Sequence, residues 1–164
     1  MYKAGDYIVY KNNGVCLIEG VRKEKFGSCE KKDYYVLKLL YTEGAVVYVP
    51  VDKEETEKRM REPISKSEAD EIIKSYPSIE ESWISDDKLR VSKFKDILER
   101  GIPTELVWML KSIEKRASEL AEIGKRIRAS DEAMLRKAET NLYGEIAFAL
   151  NLNPSEVVKI INNA

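Results

Sequence analysis

The chain has 164 residues, 43 % hydrophobic and 35 % charged, with a formal net charge of -1, a composition that suits one compact domain or two small ones rather than a disordered or fibrous protein. It contains no histidine and two cysteines, Cys16 and Cys29, which excludes Ser-His triads, histidine general bases and zinc catalysis on inventory and leaves neither metal nor cofactor expected. No run approaches the roughly 18 apolar residues of a membrane span and the N-terminus lacks a signal-peptide pattern, so the expected compartment is the cytoplasm, with both thiols reduced.

The first 51 residues read as strands. Tyr7-Ile8-Val9-Tyr10 and Val15-Cys16-Leu17-Ile18 flank Asn12-Asn13-Gly14, a turn where positive φ is cheap, so a hairpin is expected. Residues 22–32 read as a polar hairpin loop around Gly27-Ser28. Strands over 34–40 and 45–50 follow, separated by Thr42-Glu43-Gly44. Alternation puts Val47 and Val49 on one face and Val46 and Tyr48 on the other, and Pro50 ends the ladder because it has no N–H to donate. This is the pattern of a small curled sheet or barrel.

Everything after residue 52 reads as helical. Residues 53–65 form a charged connector, either an exposed turn of helix or irregular. Ser65 and Glu68 form a capping box that starts a helix over 66–75, carrying Ile72 and Ile73 and stopped by Tyr76-Pro77. Ser85 and Asp86 cap a helix to Arg100 that buries Val91, Phe94, Ile97 and Leu98, with Gly101 as terminator. Pro103 opens the longest stripe, through Leu106, Leu110, Ile113, Ala117, Leu120 and Ile127, with Ala129-Ser130-Asp131 expected as its break. Leu135, Ala138, Leu142, Ile146 and Ala149 mark a further helix to about 150, and Asn153-Pro154-Ser155-Glu156 starts a short last one. The fold class is therefore α+β, with a β domain at 1–52 followed by an all-α bundle of four or five helices at 53–164.

Charge is unevenly spread along this frame. Residues 52–87 hold 6 basic against 12 acidic side chains, whereas 88–138 hold 13 against 8, so an acidic connector precedes a basic helical block that suits a polyanion or is simply solvated. Adjacent acids such as Glu80-Glu81 and Asp86-Asp87 read as solvated rather than as an acid–base pair, and no phosphate loop occurs, so no enzyme is expected. Trp83 stands outside every apolar stripe, upstream of Lys88, Arg90, Lys93 and Lys95. It is either an apolar wedge against nucleic-acid bases or the residue that packs the connector onto the bundle, and the residues alone favour packing. Trp108 lies opposite the long stripe and is expected against a neighbouring helix.

Two separated blocks resemble the CarD/CdnL family of bacterial transcription regulators. The first comprises Tyr2-Lys3-Ala4-Gly5-Asp6-Tyr7-Ile8-Val9-Tyr10 with Gly14-Val15, the strand Tyr34-Tyr35-Val36-Leu37-Lys38 and the close Val49-Pro50-Val51. The second comprises Met134-Leu135-Arg136-Lys137-Ala138-Glu139 and Gly144-Glu145-Ile146-Ala147-Phe148-Ala149. The resemblance implies a Tudor/SH3-like N-terminal barrel that binds the β subunit of RNA polymerase, through Lys23, Glu24, Lys25, Val46, Val47, Tyr48, Val49 and Pro50. It also implies a helical domain on promoter DNA at the upstream edge of the bubble, with Trp83 as wedge and Lys88, Arg90, Lys93, Lys95, Lys125, Arg126 and Arg128 on phosphates. Contact of this kind is weak and largely blind to sequence; the chain is read as a monomer that reaches the nucleoid through polymerase and stabilises the open promoter complex. Glu24 and Tyr48 stand where the family carries polymerase-facing arginines. The alternative is a protein-only adaptor whose β module binds another partner and whose basic helices touch no DNA.

Overall fold

The computed structural model describes residues 2–52 and 54–164; Met1, and Lys53 in the expected connector, lie outside the described residues. The chain divides into two units, 1–63 and 64–164. Among the described residues the first holds five antiparallel strands and the second five α-helices, which is the expected α+β order.

In the first unit β1 (Tyr7–Tyr10), β2 (Val15–Glu24), β3 (Lys32–Leu39) and β4 (Val46–Pro50) form a meander, and β5 (Met60–Arg61) returns to pair with β1, giving the order β4-β3-β2-β1-β5. The Asn-Asn-Gly turn folds as a short 3-10 segment ending at Gly14, whose φ of 69° is the left-handed conformation that glycine adopts without strain. A bulge between Ile18 and Gly20 bends β2 against β3. The core-facing set comprises Ile8, Cys16, Ile18, Tyr35, Leu37, Val49 and Met60, with Val47 packed against it, as alternation predicts for Val47 and Val49.

Two features depart from the sequence reading. The expected loop over 22–32 shrinks because β2 continues through Arg22, Lys23 and Glu24, which pair with Tyr34, Asp33 and Lys32. Opposite charges facing each other across strands stabilise such an exposed ladder, and composition alone cannot distinguish it from a loop. The first unit also runs past residue 52: a short helix α1 (Glu54–Lys58) sends Thr56 Oγ1 to donate to the carbonyl of Pro50 at 2.8 Å, and β5 then closes onto β1.

Neither cysteine is in a disulfide; Cys16 is buried and Cys29 exposed. Burial pushes the Cys16 thiol up to about 12, so it is neither reachable nor ionised at neutral pH. A thiol reagent at pH 8 is expected to titrate Cys29 alone in the native protein and Cys16 only when the first unit unfolds. Two thiols reacting at the rate of Cys29 would contradict this packing.

The helical unit starts where the capping box predicts. Glu68 N donates to Ser65 Oγ at 3.1 Å and Ser65 N to Glu68 Oε2 at 2.7 Å, opening α2 (Lys66–Ser75), and Ile64 N donates to the buried carboxylate of Glu145. Asp86 caps α3 (Asp87–Arg100) through Leu89 N at 2.9 Å, and Gly101 ends it at φ 64°. Phe94, Ile97 and Leu98 are buried as expected, but the neighbour that joins them is Arg90, while Val91 is half-buried. Helix α4 (Pro103–Glu122) stops at Gly124 (φ 71°) instead of carrying the stripe to Ile127. Ala129, expected in a break, is instead the first residue of α5 (Ala129–Leu150). Residues 141–147 of α5 are all buried, which makes it the central helix. Finally α6 (Pro154–Asn162) starts at Asn153, whose N donates to Glu156 Oε2 at 2.8 Å.

Candidate functional site

Two surfaces are candidates, one on each unit. On the first, the sheet face opposite the core carries a cluster of aromatic rings. Phe26, in the β2–β3 loop, meets Tyr34 edge-on at 5.0 Å and Tyr48 at 5.5 Å. Phe26 is 47 % exposed and Val46, on the same face as Tyr48, is 44 % exposed, and apolar groups left in water together are unusual unless something covers them. Lys23 and Lys25 are exposed beside them and Glu24 is half-buried. The residues expected at this face therefore separate: Val46, Tyr48 and Pro50 lie on the outer side, whereas the Val47 and Val49 side chains turn into the core, with Val49 buried.

On the helical unit, the segment leading to Trp83 is fastened to α4. Lys111 Nζ donates to the carbonyls of Tyr76, Pro77 and Ile79, Ser82 N donates to Ser112 Oγ at 3.3 Å, and Glu81 meets Lys115 at 3.4 Å. Trp83 is half-buried, with its ring 6.3 Å from Phe94, which in turn meets Trp108 at 6.3 Å. Trp108 is thus the helix-to-helix contact that its position on α4 predicts. The guanidinium carbon of Arg90 lies 4.5 Å from the centre of the Trp83 ring and that of Arg116 5.9 Å from it, so cation–π attraction holds the indole from two side chains.

Arg90 itself is 2 % exposed. Its Nε and Nη2 donate to the two carboxylate oxygens of buried Asp131 at 3.0 and 2.9 Å, and Nη1 donates to the Ile84 carbonyl and pairs with Asp87 at 2.9 Å. These contacts take four of the five N–H donors, and the side chain is buried, so this guanidinium is not offered to phosphate. Arg90, expected on DNA, therefore works inside the fold, where only a bidentate, fully paired cation can be buried without large cost. The other expected cations are all exposed: Lys88, Lys93 and Lys95 on α3, and Lys125, Arg126 and Arg128 around the α4–α5 turn. Arg126 and Arg128 share with Trp83, Ser85, Asp87, Arg90, Arg116, Leu120, Ile127 and Asp131 a cleft of about 260 Å³, while Lys93 lines a separate hollow beside Trp108.

The adjacent acids have structural work. Asp86 caps α3, Asp87 pairs with Arg90 and Arg128, and Glu81 pairs with Lys111 and Lys115. Desolvation and its neighbour Glu139 push the Glu114 carboxyl above its ordinary range. Among the described residues no group of three or more carboxylates and thiols could hold a metal ion, and no helix is long and apolar enough to cross a membrane.

Residues 2–64 match the family model of the CarD-like/TRCF RID domain. The N-terminal unit is thus similar to a CarD-like domain over nearly its whole length. The matched span ends within one residue of the division between the two units and includes β5. No curated protein matches the chain. Sequence reasoning missed Phe26 and Tyr34 on the CarD-like domain, and Arg116 and Asp131 on the helical unit. An aromatic in an otherwise polar loop was a readable sign of Phe26. Nothing local signals that Asp131 is the partner of a residue 41 positions earlier.

Proposed function

We propose that the protein is a non-enzymatic transcription regulator that docks on the β subunit of RNA polymerase through its CarD-like domain. Its helical unit then touches promoter DNA at the upstream edge of the bubble and stabilises the open complex. The observation that carries this reading is the match of residues 2–64 to the CarD-like/TRCF RID domain, an RNA polymerase-interacting domain. The aromatic face of that domain is the docking surface, and the exposed cations of the helical unit meet DNA phosphates.

Docking on polymerase raises the local concentration of the helical unit at the promoter, so weak, salt-sensitive contact suffices. Trp83 is the wedge in this reading, and the cation–π contact with Arg90 at 4.5 Å supports it by fixing the ring. In this reading the protein acts as a cytoplasmic monomer and reaches the nucleoid through polymerase. The burial of Arg90 favours the rival, a protein-only adaptor, by removing one cation from the DNA face.

Replacing three exposed lysines, Lys88→Gln, Lys93→Gln and Lys95→Gln, separates the two readings. The triple variant is expected to co-purify with polymerase as the parent does, to shorten open-complex lifetime several-fold on a promoter limited by opening, and to lower the salt slope by about 0.9 per lost phosphate contact. An unchanged lifetime leaves the adaptor reading. Loss of co-purification of the parent with the β subunit removes the docking itself.

A further inference from the structure

We propose that the cleft beside Trp83 is a phosphate-binding site in which Arg116, Arg126 and Arg128 hold the anion. The site belongs to the helical unit alone. Four arginines and two aspartates line it, and the two acids are already bound: Asp131 is held bidentately by Arg90, and Asp87 is shared between Arg90 and Arg128. The cleft therefore carries two positive charges in excess, the charge of a phosphate dianion or of two neighbouring diesters.

The three arginines reach the cleft from two places, Arg116 from α4 and Arg126 and Arg128 from the α4–α5 turn. Arg116 is held near the Trp83 ring, and among the described residues its ion-pair partner is exposed Glu119, at 3.5 Å. Arg126 follows the turn at Gly124, is exposed, and makes no ion pair among the described residues. Arg128 is 67 % exposed and pairs with Asp87, an exposed contact of the kind worth well under about 1 kcal/mol, which a phosphate with more acceptor oxygens can displace. Ser85 lends a hydroxyl, and Trp83, Leu120 and Ile127 supply apolar wall that lowers the local dielectric and strengthens each charge contact. Helix α5 begins at Ala129, directly after Arg128, and no side chain caps its first amides, so the helix end adds to a site that the arginines define. At about 260 Å³ the cleft takes a phosphate with its sugar rather than a large ligand.

The anion has two possible sources, a DNA strand or a free phosphate compound. For the DNA source, the inference rests on the promoter-contact reading above and names the atoms it would use. Two probes separate the sources, inorganic pyrophosphate and a forked DNA duplex, each titrated into the full chain by calorimetry. The parent is compared with Arg126→Gln, with Arg116→Gln combined with Arg126→Gln, and with the lysine triple variant. Arg126 is exposed, so its single substitution leaves folding intact even if the double variant does not fold.

Arg126→Gln is expected to weaken the probe that uses the cleft by roughly tenfold. Weakening of pyrophosphate alone identifies a free phosphate as ligand, and weakening of forked DNA identifies a strand; both support the site. The lysine triple variant is expected to weaken DNA and leave pyrophosphate unchanged, so failure of the promoter-contact reading shows itself separately. If neither probe distinguishes Arg126→Gln from the parent, or neither binds the parent, the site is overturned.

Discussion

Asp131→Ala is expected to cost the helical unit about 3 kcal/mol of unfolding free energy, the effect of leaving a buried guanidinium without its partner. Asp131 is 1 % exposed and takes two of the nitrogens of Arg90, at 3.0 and 2.9 Å. Removing it does not return Arg90 to water, because Ile84, Asp87 and the Trp83 ring still hold the side chain in place. Those remaining partners keep the loss at the lower end of what breaking a buried pair costs. Asp87→Ala is the control: Asp87 is 45 % exposed on its side chain, so its loss is expected to cost less than about 1 kcal/mol. Replacing Arg90 and Asp131 together by Met and Leu is expected to recover most of the loss, since it removes the desolvated charges along with their attraction. Both tryptophans, Trp83 and Trp108, lie in the helical unit, so urea unfolding followed by tryptophan fluorescence reports on that unit, while Cys16 reactivity reports on the other. A cost below 1 kcal/mol for Asp131→Ala would show that the pair is not what holds α3 to α5.

This pair also shows what the sequence could not reveal. The opening meander was legible because its signals are local: the turns at Gly14 and Gly44 each place a glycine at positive φ, and the alternation through Val46 to Val49 fixes which side chains face the core. The helix starts at Ser65, Asp86 and Asn153 were legible for the same reason: the Ser65 and Asp86 side chains each satisfy an amide three residues on, and Glu156 reaches back to the Asn153 amide. By contrast β5 is two residues with no periodicity, placed only by pairing with β1. The end of α4 was misjudged because Ile127 keeps the spacing of the stripe across Gly124, so the periodicity survives although the helix does not. Arg90 looked like one of a row of surface cations; its burial depends on an acid that only the packing of α3 on α5 brings near.

The candidate surfaces follow the same division. Resemblance named a run of successive β4 residues as the docking face, and alternation lets only part of that set share one face, since successive residues of a strand cannot all face outward. On the helical unit, Lys125, Arg126 and Arg128 were readable as charge, but the cleft that Arg126 and Arg128 border needs Arg116 from one turn of α4 and Trp83 from the connector. Charge counted along the chain carries no information about which cations converge, and that convergence is what separates a binding site from a solvated surface.

The second large effect concerns the docking face. Phe26→Ala in the full chain is expected to weaken binding to the RNA polymerase β subunit roughly tenfold or more, because a truncated aromatic at the centre of an interface commonly costs about 2 kcal/mol. The fold should tolerate the change: Phe26 is 47 % exposed in the free protein, and its contacts with Tyr34 and Tyr48 are aromatic pairs worth about 0.5–1.5 kcal/mol each. Val46→Asp should act in the same direction by placing a carboxylate on the same outer face, where it must be desolvated on docking. Tyr7→Ser is the control, since Tyr7 is 44 % exposed but lies on β1, separated by β2 from the strands β3 and β4 that carry Tyr34 and Tyr48, and its replacement is expected to leave binding unchanged. A pull-down or surface-binding titration with the isolated β subunit measures all three, and unchanged Cys16 protection confirms that each variant is folded. If Phe26→Ala and Val46→Asp both bind as the parent does, the partner docks elsewhere on the domain. The exposed rings would then have to be explained by another contact, because water alone gives no reason to gather Phe26, Tyr34 and Tyr48 on one face.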